Sequence, residues 1–321
     1  MLLVHIATSN GKIKKSSLEV LSHARSEAAK AGMPLGALVL DPDPGRYVAE
    51  ISAYGPGRIC TMADPIFASH LNQPVTQALK QALAHLKPKV VAFASTEAIK
   101  DILGALGSET GAAVLPDVAT FALTASGVKA TRPVMAAKIL AETEATADLV
   151  LVSVRSGSYD AVESPGSPVV EAIPFQAGNL NVILKEILAS AGGQVDLNEA
   201  QVVVAAGRGV KDEEAKRLVD ELASVTGAAI GASRAVVETG MFPATAQIGQ
   251  TGKVVSPTLY FAVGISGAIQ HVAGMANSKV IVAINKDADA PIFHYATYGL
   301  VGDLYKILPP LIAELKAVYG R

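Results

Sequence analysis

The chain has 321 residues, enough for two domains with separate hydrophobic cores. Half of the residues are hydrophobic, 17% are charged and the formal net charge is −2, which argues against a nucleic-acid-binding protein. The single cysteine, Cys60, excludes an internal disulfide and has no companion at the spacing of a zinc site.

Short apolar segments alternate with helical patterns through the first third of the chain. The sequence predicts strands at 2–8, 35–40, 58–62 and 89–95, and helices at 16–32, 46–54, 74–86 and 97–107. Strands that alternate with helices are typical of a parallel sheet with right-handed crossovers. We therefore expect an N-terminal α/β domain with a mostly parallel sheet.

The pattern changes after Asp117, where little helical periodicity remains. Residues 118–124, 127–143 and 148–157 predict strands that pair locally, some of them antiparallel, as an extension of the first sheet. Ser, Gly and Pro residues at 156–174 indicate a surface loop. A helix is predicted at 180–189, and Gly192 and Gly193 mark the best boundary, which divides the chain into domains 1–191 and 192–321.

The second domain repeats a strand-and-helix pattern. A strand at 201–206 precedes a helix at 211–227, and further strands at 228–232, 259–263 and 279–284 end in glycine-containing or polar turns. Helices are expected from Arg234, through His271, and at 303–318, the last one interrupted or bent near Pro309 and Pro310. This order indicates a doubly wound, Rossmann-like α/β domain.

One stretch needs to be tested against a membrane span. Residues 254–278 carry no formal charge and are long enough to cross a bilayer. Against a span stand Pro257, three glycines, and the polar residues Gln270, His271 and Asn277. We interpret the stretch as a buried strand, turn and helix. No secretory or transit pattern precedes the first strand, so we expect a cytoplasmic protein, or a mitochondrial-matrix protein if the sequence is a mature eukaryotic chain.

Two arginines follow predicted strands of the second domain. Arg208 lies in AAGRG (205–209), where a strand gives way to a helix, so it either contacts a phosphate or belongs to an ordinary tight turn. Arg234 follows Ser233, a candidate N-cap, in GASRAVVETG. Arg234 is either solvated at a helix start or adjacent to an electron-accepting ring, where its charge favours the reduced cofactor.

Polar residues also follow the other strands of this domain. IGQTGK (248–253) departs from the phosphate-binding P-loop pattern, and Ser266 lacks the GxSxG pattern of a hydrolase nucleophile. His271 is either a packed core histidine or a cofactor contact. Asp303 is either a helix N-cap or an acceptor for a ribose hydroxyl. The many glycines between Gly227 and Asp303 favour a site where the backbone approaches a large ligand closely.

These segments together resemble a known family. AGRGV, GASRAVVETG, QIGQTGKVVSPTLYFAVGISGAIQHVAGM, SKVIVAINKDADAPIF and YGLVGDLYKILP are similar to the alpha subunit of electron transfer flavoproteins. The first domain resembles the family more loosely, through RPVMAAK and VSVRSGSY. The resemblance implies an FAD cofactor held mainly by the second domain. It also implies a beta-subunit partner that contacts the first domain and completes the flavin cleft.

The resemblance also implies roles for individual residues. Arg234 matches the arginine beside the isoalloxazine ring, Thr251 the residue near flavin N5, and His271 the residue near the C2 carbonyl. Asn285 and Asp303 fall toward the adenosine end. The expected cofactor contacts are Arg208, Ser233, Arg234, Ile248, Gly249, Gln250, Thr251, Ser266, Gly267, Ala268, Ile269, Gln270, His271, Asn285, Asp303 and Leu304.

Three hypotheses for function follow. The first is an electron carrier that, as a heterodimer with a beta subunit, moves electrons from flavin dehydrogenases such as acyl-CoA dehydrogenases to a quinone reductase or another acceptor. The second is a subunit of a flavin-based electron-bifurcating complex that oxidises NADH. The third is a binding module without redox chemistry. The carrier is preferred because the sequence shows no convincing general base or nucleophile.

Overall fold

The computed structural model describes residues 1–69, 71–135, 139–178 and 196–319. The chain divides into two compact units, Met1–Ala189 and Ser190–Arg321. The predicted boundary between residues 191 and 192 and the predicted helix at 180–189 lie outside the described residues, so both stay predictions.

The first unit is an α/β domain. Its strands are β1 (Leu2–Ile6), β2 (Thr8–Ser9), β3 (Lys12–Ile13), β4 (Leu35–Asp41), β5 (Arg58–Ala63), β6 (Val90–Ala94), β7 (Ala113–Val118), β8 (Thr120–Leu123), β9 (Val128–Val134), β10 (Ile139–Ala145), β11 (Val150–Val154) and β12 (Val169–Ala172). Its α-helices are α1 (Lys15–Lys30), α2 (Val48–Ser52), α3 (Asn72–Leu86) and α4 (Glu97–Thr110). Seven strands form one sheet in the order β12-β5-β4-β1-β6-β11-β7, and every pairing in it is parallel. The predicted mostly parallel sheet is confirmed.

Alternating residues of the central strand β1 enter cores on opposite faces of this sheet. Leu2, Val4 and Ile6 pack in the core that contains α1. Leu3 packs in the core that contains apolar residues of α3 and α4. All five residues of β1 are buried, which explains why four of them are apolar; the fifth is the buried His5.

The segment after Asp117 joins the first sheet only in part. Strands β8, β9 and β10 form a separate antiparallel sheet, so placing all of the segment as an extension of the first sheet was wrong. Five of the seven residues of β10 are exposed, which is incompatible with a sheet covered by helices on both faces. Only the fully buried β11 joins the parallel sheet, between β6 and β7.

A short edge strand lies in the segment that was predicted to be a loop. The strand β12 pairs in parallel with β5, and its residues Val169 and Val170 are exposed. Its pairing depends on backbone hydrogen bonds at a sheet edge, so apolar periodicity does not reveal it.

The second unit has one five-stranded parallel sheet in the order β14-β13-β15-β16-β17. Its elements are β13 (Val202–Ala206), α5 (Glu213–Thr226), β14 (Ala229–Ala232), α6 (Arg234–Val237), β15 (Leu259–Val263), α7 (Ile269–Val272), β16 (Val280–Asn285), β17 (Tyr298–Val301) and α8 (Leu304–Tyr319). The chain crosses from β14, on one side of β13, to β15 on the other side. The strand order therefore reverses between β13 and β15, and ligands of open parallel sheets bind at such a point.

The two faces of this sheet are covered differently. Apolar residues of α5 and α8 pack on one face. The other face is covered largely by irregular segments that contain Ile248, Val255, Met275 and Ile292. The expected doubly wound order is present, but the helices predicted from Arg234 and through His271 have only four residues each.

Two further differences concern the end of the chain. The helix α8 continues through Pro309 and Pro310, so the predicted interruption was wrong, while a bend stays a prediction. Strand β17 was not predicted, because all four of its residues are exposed and no buried face marks it in the sequence. Residues 254–278 contain β15 and α7, as predicted, and no helix in the described part of the chain is long and apolar enough to span a bilayer.

Candidate cofactor-binding site

A cavity of about 730 Å³ lies in the second unit, where the loops that follow the strands of the parallel sheet come together. Its size is in the range of cofactor and small-molecule sites. The residues that line it come from six segments: Arg208, Gly209 and Lys211; Ser233, Arg234, Ala235 and Glu238; Gln247, Ile248, Gly249, Gln250 and Thr251; Gly264, Ile265, Ser266, Ala268, Gln270 and His271; Ile284, Asn285, Lys286, Asp287, Ala290 and Pro291; and Gly302, Asp303, Leu304 and Tyr305.

Glycines bring these loops into contact with one another. A Cβ atom on Gly264 would lie 2.7 Å from the Cα atom of Gly209, and one on Gly249 would lie 2.8 Å from the carbonyl oxygen of Gln270. Gly249 also has a φ of +145°, which side-chain-bearing residues rarely adopt. At these positions the space that a Cβ would need is filled by other protein backbone. Gly209, Gly249 and Gly264 also line the cavity, so a close approach of their backbone to a ligand stays a prediction. They pack loop against loop and thereby shape the cavity.

The loop after β13 offers cations to the cavity, but the helix that follows it does not offer a free N-terminus. The Asp212 carboxylate accepts a hydrogen bond of 2.9 Å from the backbone N–H of Ala215, and Glu213 and Glu214 follow in the first turn. This capping hydrogen bond holds the pKa of Asp212 below its usual value, with a further contribution from the Tyr305 hydroxyl. Carboxylates at a helix start repel an anion. Any phosphate contact here therefore depends on exposed side chains such as Arg208.

Arg234 lies on the cavity wall and is paired with an acid. Its Nε donates to Glu238 Oε1 at 2.8 Å, and the two side chains are 68% and 61% exposed. Ser233 occupies the N-cap position of α6, as predicted, but its side chain makes no capping hydrogen bond. Its carbonyl oxygen instead accepts from the N–H groups of Val236 and Val237.

The loop at 248–253 is held against the start of α7. The backbone N–H of Gln250 donates to the carbonyl oxygen of Gln270 at 2.7 Å, and the N–H of Gly249 donates to Lys253 at 3.1 Å. The Gln247 side-chain amide donates to the Thr251 hydroxyl at 3.0 Å. The Thr251 side chain is therefore oriented by a neighbour on the same loop.

The His271 ring is almost fully buried, and both of its nitrogens have protein partners. Nε2 lies 2.9 Å from the Tyr260 hydroxyl, and Nδ1 lies 3.1 Å from the carbonyl oxygen of Ile248. Burial lowers the pKa of His271 to about 4, so the ring is neutral at pH 7. Of the two interpretations of this residue, the geometry favours a packed core histidine, and a ring contact to a cofactor stays a prediction.

Asn285 and Asp303 organise the other segments of the wall. The Asn285 side-chain amide donates to the carbonyl oxygen of Ile265 at 2.8 Å, and its oxygen accepts from the N–H of Asp287 at 3.0 Å. The Asp303 carboxylate accepts from the N–H of Tyr305 at 3.1 Å at the start of α8. Asp303 is thus a helix-capping residue. This role leaves its predicted contact with a ribose hydroxyl untested.

The cavity brings together nearly all of the predicted contact residues. Of these, only Gly267 and Ile269 do not line it, and Gly267 is buried, with no room for a Cβ beside Ile292. The charged and aromatic residues that the prediction missed are Lys211, Glu238, Lys286, Asp287 and Tyr305. Each lies within four residues of a predicted position, so the signal that could have found them was proximity to the motifs.

Comparison with known families identifies this domain. Residues 196–276 match the family model described as the electron transfer flavoprotein FAD-binding domain, and residues 2–177 match the electron transfer flavoprotein domain. The chain belongs to the electron transfer flavoprotein alpha-subunit family. Its cofactor is FAD, and the role of the family is electron transfer.

Curated relatives match this family member over almost its whole length. Electron transfer flavoprotein subunit alpha of Syntrophomonas wolfei is 35% identical over 315 residues, covering 98% of each chain. The protein of the same name from Mycobacterium leprae is 38% identical over 321 residues, covering 99% of each chain. Protein FixB of Clostridium saccharobutylicum is 33% identical over 314 residues, covering 96% of this chain and 94% of its own.

The side chains on the wall fit FAD. Cations such as Arg208 and Lys211 match the charge of a diphosphate, and carboxylates such as Asp287 and Asp303 match hydroxyl groups as hydrogen-bond acceptors. Apolar residues such as Ile248, Ile265, Ile284 and Leu304 provide contact surface for flat rings. A dinucleotide has all three kinds of group, so the chemistry of the wall agrees with the family.

Proposed function

We propose that this chain holds one FAD in the cavity of its second unit and, as a heterodimer with a beta subunit, carries electrons between flavin dehydrogenases and a quinone reductase or another acceptor. Acyl-CoA dehydrogenases are the proposed donors. The observation that carries the proposal is the convergence of the predicted contact residues on one cavity, within the domain that matches the FAD-binding family model.

The residues of the wall divide the work of holding the cofactor. Arg208 and Lys211, on the loop after β13, are the proposed partners of the diphosphate, since they are exposed and the adjoining helix start is negatively charged. Asp303 and Asn285 are proposed for the adenosine end. Thr251 is proposed for the ring end, where its hydroxyl group is oriented by Gln247.

Arg234 is the proposed electrostatic control of electron uptake. When bound, FAD accepts and donates electrons through its isoalloxazine ring, which becomes more negative on reduction. A fixed positive charge beside that ring raises the reduction potential. Glu238, at 2.8 Å from Arg234, opposes this effect and holds the guanidinium group in place. This chain therefore influences the reduction potential of the flavin through the balance of these two charges.

Co-expression with a beta subunit tests the proposal. We expect a yellow complex that releases about one FAD per heterodimer on denaturation and is reduced by an acyl-CoA dehydrogenase with its substrate. A stable complex that contains no flavin would contradict the FAD site. Reduction by NADH, with a second flavin per heterodimer, would replace the carrier with the bifurcating alternative.

A further inference from the structure

A buried pair of side chains adjoins the cavity: His271 is one of the lining residues, and Tyr260, which is not, contacts the His271 ring. Tyr260 is on β15 and is 0% exposed, and His271 is on α7 and is 6% exposed. The Tyr260 hydroxyl lies 2.9 Å from Nε2, on the opposite side of the imidazole ring from the contact between Nδ1 and Ile248. The three residues therefore form one chain of hydrogen bonds from a central strand to the loop at 248–253.

The direction of each hydrogen bond follows from the chemistry of the groups. A carbonyl oxygen only accepts, so Nδ1 of His271 must carry the hydrogen that is donated to Ile248. In the neutral ring Nε2 then has a lone pair and accepts from the Tyr260 hydroxyl. Burial lowers the pKa of His271 to about 4 and raises the pKa of Tyr260 well above its usual value, so neither group is charged at pH 7.

This chain of bonds reaches the cofactor site through the loop. Ile248 and the residues after it line the cavity, and the same loop is also tied to α7 by the bond from Gln250 to Gln270. With both ring nitrogens engaged, His271 has none left for a ligand. A hydrogen bond from this ring to flavin would require one of the two protein bonds to break.

We propose that Tyr260 is a positioning residue of the FAD site: its hydroxyl group fixes His271 in the Nδ1–H tautomer, and His271 then holds the loop at 248–253 in the cavity wall. The tautomer is a property of the protein alone. The effect on FAD rests on the proposed function. Without the hydroxyl group, Nε2 is a buried acceptor without a donor, the ring is free to change its tautomer, and the loop has to be ordered when FAD binds.

The test uses the heterodimeric complex with ¹⁵N-labelled histidine and the variant Tyr260→Phe, which keeps the buried ring. Long-range ¹H–¹⁵N spectra report the tautomer, and His271→Gln assigns the signal. We expect the Nδ1–H tautomer in the parent protein, and in Tyr260→Phe a displaced Nε2 signal together with about tenfold weaker FAD retention, equivalent to about 1.4 kcal/mol. Tyr159→Phe is the matched control. It removes a hydroxyl group that accepts from the Phe121 N–H at 2.9 Å in the other unit, so it should change neither quantity.

The outcomes separate this inference from the proposed function. An Nε2–H or doubly protonated His271 in the parent complex would overturn the tautomer, and unchanged FAD retention in Tyr260→Phe would overturn the positioning role. A complex without flavin contradicts the proposed function but leaves the tautomer measurable. If Tyr260→Phe does not assemble, incorporation of 3-fluorotyrosine strengthens the donor without altering the fold. It must shift the Nε2 signal of His271, and an unmoved signal refutes the bond.

Discussion

Gly249→Ala should displace the loop at 248–253 from α7 and so disturb the cavity wall. Gly249 has a φ of +145°, and an added Cβ would lie 2.8 Å from the Gln270 carbonyl oxygen, which also accepts the hydrogen bond from Gln250. The backbone strain alone costs about 1–3 kcal/mol. The clash adds to this cost unless the loop moves away from α7, and such a movement displaces Gln250 and Thr251 on the cavity wall.

A matched substitution separates strain from the position of the loop. Gly227 ends α5 with a φ of +65°, and a Cβ there meets nothing within 4 Å. Gly227→Ala should therefore cost only the left-handed backbone conformation, about 1–2 kcal/mol, and leave FAD binding unchanged. Thermal unfolding measures the first quantity, and the flavin-to-protein ratio of the purified complex measures the second.

The two variants should therefore differ in which property they lose, FAD binding or stability. We expect Gly249→Ala to lose most of its FAD at a temperature where it is still folded, and Gly227→Ala to be destabilised but fully loaded. Equal FAD content in the two variants would refute the reasoning that backbone packing between the loops shapes the cofactor site.

Three further predictions concern charge, pH and packing. Arg234→Gln should lower the flavin reduction potential and Glu238→Gln should raise it, each by about 1–4 kcal/mol per electron for a unit charge about 4 Å away, from water to a partly covered protein surface. Redox titration measures both shifts, and shifts in the same direction would contradict the charge balance. Asp212→Ala should lower the melting temperature at pH 7, and because the pKa of Asp212 is lowered in the folded state, the difference should fade as the pH falls from about 4 through that lowered pKa; a difference that grew in acid would exclude the capping interaction. Leu308→Ala, at a fully buried position of α8, should cost about 2–5 kcal/mol of unfolding free energy, while Leu300→Ala, at a 41% exposed position, should stay within about 0.5 kcal/mol; similar losses would place the core elsewhere.

The sequence predicted the strands that are buried on both faces and missed two edge strands that are not. β1 and β11 are fully buried, and their apolar runs stand out in the sequence. β12 and β17 are short edge strands with largely exposed residues, so neither an apolar run nor an alternation marks them. Their formation depends on a neighbouring strand that is distant in sequence for β12, which pairs with β5 across more than 100 residues.

The candidate site shows the same division between local and tertiary information. The motifs predicted many of the residues that line the cavity, because the carboxyl ends of parallel strands meet at one edge of the sheet. The hydrogen bond between Tyr260 and His271 could not be predicted from the sequence. The two residues are eleven positions apart, and the path of the turn between the strand and the short helix decides whether they meet. The packing of loop against loop at Gly249 and Gly264 was not predicted, for a related reason. A sequence shows where a side chain is absent, but not whether a ligand or another loop occupies that space.

The exposure of the charged residues on the cavity wall suggests what a beta subunit would contribute to the FAD site. The side chains of Arg234 and Glu238 are 68% and 61% exposed, and at such exposure the field of either charge is strongly screened by water. A unit charge about 4 Å away contributes about 1 kcal/mol in water but about 4 kcal/mol at the effective dielectric constant of a protein surface that is partly covered. If the beta subunit covers this wall, as proposed, the same arginine acts several times more strongly on the flavin without any change in this chain. The effect of Arg234→Gln on the potential should then be larger in the complex than in any state where the subunits are apart but FAD is retained. An equal effect in both states would mean that the partner does not cover the wall.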